Sequence, residues 1–180
     1  MERRAMTDPA LAKRRLGRWA VGCGGLALAL AGTLLAPPRP RLLWNASASA
    51  PVGLYAVGDG AAPVRGDMVI ARVPAEFRMF AARRRYLPAN VPLVKRVAAM
   101  AGDEVCAAGA RVTVNGHIVA RRLDRDGAGR PMPWWSGCAE LAADEYFLLM
   151  TDSAASFDGR YFGITEAGDI VGKARLIWRR

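Results

Sequence analysis

Histidine is almost missing from this chain of 180 residues: His117 is the only one. A single imidazole excludes a His-based zinc site and any helical His-x-x-x-His pairing. A Ser-His-Asp triad would have to use that one ring, and it directly follows Asn115-Gly116, a hairpin-turn signal that predicts an exposed side chain. If the chain is a hydrolase, its base is expected to be something else. Lysine is the next option, because burial depresses an amine's pKa far enough for the neutral form to exist. Cysteine is scarce too, with three residues. Cys23 lies inside an apolar run and reads as a small filler. Cys106 and Cys138 are a candidate disulfide pair that an oxidising compartment would permit. Spacing alone does not show that their Cα atoms approach, so pairing stays open at this level. No pattern for a metal or cofactor is present, and none is expected.

Acidic residues are also in short supply, 16 against 26 basic ones, for a net charge of +10. The excess is uneven: residues 1–41 hold eight basic and two acidic side chains, a net +6, and the remainder carries +4. A nucleic-acid platform would put the charge on the globular part with aromatics interleaved, and no such stripe exists. Nucleic acid is therefore not an expected partner. With 52% hydrophobic and 23% charged residues the chain is not disordered. There are no internal repeats and no long low-complexity segment.

What is present begins with an uncharged stretch from Trp19 to Ala36, just long enough to cross a bilayer as a helix. Arg3, Arg4, Lys13, Arg14, Arg15 and Arg18 precede it and only Arg39 and Arg41 follow closely. This bias predicts a cytoplasmic N-terminus, a single pass through the inner membrane, and everything after Pro37 on the periplasmic side. A cleaved secretory signal ending near Ala29-Leu30-Ala31 is the rival reading, disfavoured because the apolar run continues through Leu34 and Leu35. The expected organisation is a basic tail over 1–18, a transmembrane anchor over 19–36, a linker over 37–44 built on Pro37-Pro-Arg-Pro40, and an extracytoplasmic domain over 45–180. Within the linker, Leu42-Leu-Trp44 suits a membrane interface.

The exported part reads as mainly β. Strands are expected over 52–57, 67–73, 93–100, 145–150 and 170–178, with a helix over 75–86. Val112-Thr-Val114, Asn115-Gly116 and His117-Ile-Val119 form a hairpin around a type I′ turn. Residues 124–137 read as a loop that Trp134-Trp135 caps or that touches lipid. Short, non-alternating strands suggest a folded, partly closed sheet.

Two segments carry candidate chemistry. Asn45-Ala-Ser47-Ala-Ser49-Ala-Pro51-Val-Gly53-Leu-Tyr55 follows the spacer, and Pro92-Leu-Val-Lys95-Arg96-Val reaches Gly102-Asp103. Taken singly, the first is a polar turn and Lys95 a snorkelling surface residue. What raises both is that Lys95 interrupts an apolar run, where a buried ammonium is costly without a partner or a task. Asp103 and Asp152 read as turn residues.

These two segments resemble the type I signal peptidases, and more narrowly the conjugative-transfer signal peptidases of the TraF type, through Ser49-x-Pro51-x-Gly53-Leu-Tyr55 and Lys95-Arg96-Val. A third block, Thr151-Asp152-Ser-Ala-Ala-Ser156-Phe-Asp158-Gly-Arg160-Tyr-Phe-Gly163, resembles the family's later box, and Val171-Gly172-Lys-Ala174 its closing strand. Thr151 and Ser153 depart from the usual Gly and Asn, Gly159 from a Ser, and Met100-Ala101 stands where Leu-Pro is usual. The resemblance implies a signal-peptidase-like β domain using Ser49 as nucleophile and Lys95 as base. It places Ser156 beside the amine and gives Asp158 and Arg160 a supporting role, which by themselves read as a structural ion pair. Ser49 N–H and the Ser47 hydroxyl are the candidate oxyanion hole. The implied substrate is an exported pilin-like precursor of a conjugation-type secretion apparatus, with ring closure as a further outcome. The alternative is a non-catalytic membrane-anchored scaffold of such an apparatus.

Overall fold

The computed structural model describes residues 9–35, 40–58 and 60–180, and the chain divides into two compact units, Met1–Pro40 and Arg41–Arg180. In the first, helix α1 covers Pro9–Leu35. The expected apolar span began at Trp19, but the helix starts ten residues earlier. Pro9 supplies a preset φ for the first helical position, and the Ala, Leu, Lys and Arg that follow are good helix formers whatever their charge. Within its stretch Lys13–Leu35, the most apolar 18 residues have a mean hydropathy of 1.4, and none of them is buried. At 1.5 Å per residue, 23 residues extend about 35 Å, enough for a hydrocarbon core. The proline spacer lies outside the described residues except for Pro40.

Among the described residues of the second unit, eleven strands form two antiparallel sheets. The larger takes β1 (Leu42–Asn45), β2 (Gly53–Gly58), β3 (Met68–Ala71), β4 (Leu93–Ala99), β9 (Glu145–Leu149), β10 (Ile164–Glu166) and β11 (Ile170–Arg179), in the spatial order β1-β2-β11-β3-β4-β9-β10. The smaller holds β5 (Glu104–Ala108), β6 (Arg111–Val114), β7 (His117–Arg121) and β8 (Gly137–Glu140), ordered β7-β6-β5-β8. The domain is mainly β, as expected, and among the described residues neither sheet closes into a barrel: β1 and β10 each pair on one side only. Short strands are compatible with either outcome, since closure depends on edge pairing.

Helix α2 (Ala75–Arg83) and the short α3 (Gly159–Phe162) accompany the large sheet. Val69, Ala71, Leu93, Val97, Leu148 and Phe162 make one core cluster, against which Phe77 and Phe157 pack. Val105, Val112, Val114, Phe147 and Leu149 make a second, which joins the two sheets. Ala50, Tyr55, Ile70, Val94 and Met150 form a third. Because β4 and β9 lie between clusters, most of their side chains are buried on both faces, which is why they read as apolar runs, interrupted in β4 by Lys95 and the exposed Arg96. The hairpin turn is as expected, with Asn115 at φ 50° and Gly116 at φ 78°. The helix expected to reach residue 86 stops at Arg83 because Arg85 turns to φ 60°.

Candidate active site

Asn45 closes β1 and organises the turn that follows. Buried, it donates from Nδ2 to the carbonyls of Ser47, Ala50 and Pro51 at 2.9, 3.2 and 3.1 Å, and its Oδ1 accepts the Ser47 N–H at 3.1 Å. Tyr55, buried on β2, donates its hydroxyl to Pro51 O at 2.8 Å. The chain between β1 and β2 is thus stapled from both ends, fixing Ser49 at its apex. Gly53 lets β2 approach the last strand: a Cβ there would lie 2.1 Å from Trp178 O.

Lys95 enters from β4, paired with Val69 of β3 and lying between Leu93 and Val97. It is 3% exposed, and its Nζ stands 2.8 Å from Ser49 Oγ and 2.8 Å from Ser156 Oγ. Burial is the main cause that lowers its pKa from 10.5 to about 8; the Asp158 carboxylate opposes the shift and the Arg160 guanidinium adds to it. The Ser47 hydroxyl lies 3.0 Å from Ser49 Oγ and accepts the Ser49 N–H at 3.3 Å. Both polar hydrogens expected of an oxyanion hole therefore belong to one exposed turn, where an incoming carbonyl oxygen can compete for them.

Ser156, also buried, sits in a loop held by an ion pair beneath it. Asp158 Oδ1 accepts from Arg160 Nε at 2.9 Å and Oδ2 from Arg160 Nη2 at 2.8 Å, with both side chains essentially excluded from water. Asp158 further accepts the N–H groups of Met150 and Arg160, capping α3. Arg160 reaches the carbonyls of Met150, Ser153 and Ala154. The pair's hydrogen bonds all run within residues 150–160, and its two charges act in opposite directions on Lys95. Gly159 explains one departure from the family pattern: a Cβ would meet Phe147 Cε2 at 2.7 Å and Leu148 O at 2.9 Å.

Ser49, Lys95 and Ser156 open onto a groove of about 580 Å³, whose walls include Leu43, Leu93, Phe157 and Tyr161. Trp135 ties the 124–137 segment to α3, donating Nε1 to Gly159 O at 3.0 Å, while Trp134 donates to Leu123 O. His117 is exposed on the hairpin. Asp152 is an exposed turn residue, whereas Asp103, though in a turn, is buried and bonded to Met100 N, Asn115 Nδ2 and Arg65. Cys106 and Cys138 face each other across β5 and β8 and are joined as a disulfide, with Cα atoms 4.0 Å apart. Glu104 lies beside them, but their mutual bond leaves no thiolate to ligate a metal.

A hydroxyl within hydrogen-bonding distance of a shielded, weakly basic amine, facing a peptide-sized groove, is suited to nucleophilic attack on a carbonyl with lysine as proton acceptor. The sequence model of the family described as signal peptidase, peptidase S26, matches residues 14–179, and the chain belongs to that family. It is 34% identical over 176 residues to the probable conjugal transfer protein TraF of Sinorhizobium fredii, covering 92% of each chain. Over 179 residues it is 34% identical to the plasmid transfer protein TraF of Escherichia coli, covering 92% of this chain and 98% of the relative. The signal peptidase I of Leptolyngbya laminosa is 27% identical over 112 residues, 62% of this chain and 51% of its own. Among solved structures, a signal peptidase I from Enterococcus faecalis V583 aligns with 63% of this chain and 97% of its own at a TM-score of 0.37 and 17% identity. Family and apolar helix together fit a membrane-anchored peptidase.

Proposed function

We propose that the protein is a membrane-bound serine endopeptidase in which Ser49 is the nucleophile and Lys95 the general base. The supporting observation is the 2.8 Å approach of Lys95 Nζ to Ser49 Oγ by an amine that is 3% exposed. In this reading the Ser49 hydroxyl proton passes to neutral Nζ as Oγ bonds to the scissile carbonyl carbon. The oxyanion takes hydrogen bonds from Ser49 N–H and the Ser47 hydroxyl, each donor being worth about 3 kcal/mol of barrier. Nζ then gives the proton to the departing amine, leaving an acyl-Ser49 that water resolves. Ser156, 2.8 Å from Nζ, keeps the amine aimed at Ser49. A pKa of about 8 leaves about a tenth of the amine neutral at pH 7.

The TraF naming of the relatives directs the substrate reading. The chain matures an exported pilin-like precursor of a conjugative secretion system, anchored in the inner membrane with its N-terminus cytoplasmic and residues 45–180 periplasmic. Capture of the acyl-enzyme by an amine of the same substrate in place of water would close a ring. A non-catalytic scaffold gives no account of a buried amine held against two hydroxyls, since such burial only costs stability. The test is co-expression with a pilin precursor: Ser49→Ala and Lys95→Ala should each abolish processing, and full processing by either variant sinks the assignment.

A further inference from the structure

The groove carries an imbalance of charge that the chemistry at Ser49 does not use. Asp126 is the only carboxylate among the residues lining it, and that carboxylate is fully engaged. Its Oδ2 accepts the Tyr86 hydroxyl at 2.6 Å and Arg130 Nε at 2.7 Å, its Oδ1 accepts the N–H groups of Ala128 and Arg130 at 2.9 Å each, and Arg84 Nη1 stands 3.8 Å away. These contacts, the Tyr86 bond foremost, hold the carboxyl well below the usual carboxylate range. They also tie the 124–132 loop to the segment that follows α2, where Arg84 donates to Pro131 O at 2.8 Å.

Arg125 lines the same groove from the adjacent position. Its side chain is exposed, and its Nη1 donates to Gly129 O at 2.7 Å on the same loop. It has no ion-pair partner among the described residues, because the neighbouring carboxylate is taken by Tyr86, Arg130 and Arg84. A guanidinium with spare N–H donors at the groove wall is well suited to a carboxylate. The remaining charged lining residue, Lys95, adds no negative charge.

We propose that Arg125 is a specificity-determining residue, selecting peptide substrates that carry a carboxylate in the segment lying along the 123–132 side of the groove. The inference rests on the peptidase reading above, naming the chemistry of its substrate. An acidic side chain and a free chain end offer the same group, and both fit.

The test separates binding from catalysis. Full-length Ser49→Ala protein in detergent is titrated with fluorescent alanine-serine peptides carrying a single Glu at successive positions. Each has a Gln counterpart and a free or amidated C-terminus. At one or two positions Glu should bind about threefold tighter than Gln, the preference fading in high salt. Adding Arg125→Ala should erase the preference, and Arg125→Glu should turn it toward Lys. Dependence on the free terminus in place of the Glu position assigns the carboxylate to the chain end. Equal affinities throughout, a preference indifferent to Arg125→Ala, or no peptide binding at all overturns the proposal. None of these readouts requires Ser49, so processing by the Ser49→Ala variant would refute the nucleophile without touching this result.

Discussion

Replacing Lys95 with methionine keeps a long apolar stem and removes the only titrating atom at the end of it. In the native state burial lowers this amine's pKa from 10.5 to about 8, while in the unfolded chain it keeps its ordinary value. Between those two values the unfolded chain binds a proton that the native protein does not. Stability is therefore greatest above the unfolded value and falls as pH drops toward about 8; below that, both states are protonated and the penalty is constant. From about pH 9.5 to about pH 7 this linkage removes about 2 kcal/mol. Losing the hydrogen bonds to Ser49 and Ser156 adds an offset, but that offset does not vary with pH. The stability of Lys95→Met relative to the parent should thus rise by about 2 kcal/mol over the same interval. Urea unfolding of the full chain in detergent, followed by tryptophan fluorescence at several pH values, measures it. A difference that stays flat would show that the amine is not desolvated, removing the basis for its action as a base.

The peptidase rate of the parent should itself climb with pH around a midpoint near 8, following the neutral amine. Asp158→Asn leaves the buried Arg160 guanidinium without its carboxylate and should cost about 3–5 kcal/mol in unfolding free energy. Because Asp158 holds the Lys95 pKa up, whatever activity survives should show its pH midpoint below that of the parent, and an unmoved midpoint contradicts the coupling. Gly159→Ala should lower stability by about 1–3 kcal/mol in the same urea assay, since its Cβ would press on Phe147 and the Leu148 carbonyl. Changing Cys106 and Cys138 together to Ser releases a cross-link spanning 32 residues, a loss of about 3–4 kcal/mol that a melting curve with and without reductant should reproduce in the parent.

The segments holding Ser49 and Lys95 stood out in the sequence as a polar turn and an interrupted apolar run, with one histidine leaving few other bases, while the roles proposed for the two residues came from the resemblance. Their meeting was not legible, since 46 residues separate them and no local pattern encodes tertiary distance. Ser156 came from the resemblance alone, and the structure sets it 2.8 Å from the amine. Asn45 was quoted within the motif without a role, although a lone amide ending the apolar Leu42–Trp44 segment was an available hint. Strands β5 and β8 escaped detection because Ala, Cys, Gly and Glu give a weak β signal. Helix α1 outran the apolar stretch because hydropathy measures burial in lipid while helix propensity does not penalise lysine or arginine.

The order of strands also sets a schedule. β2, which continues from the Ser49 turn, reaches the rest of its sheet only through β11, the strand furthest along the chain, which lies between β2 and β3. Until Ile170–Arg179 has inserted there, the β1–β2 hairpin is not joined to β3 and β4. A chain in which β11 has not yet inserted would thus lack the strand that couples the Ser49 turn to the sheet holding Lys95.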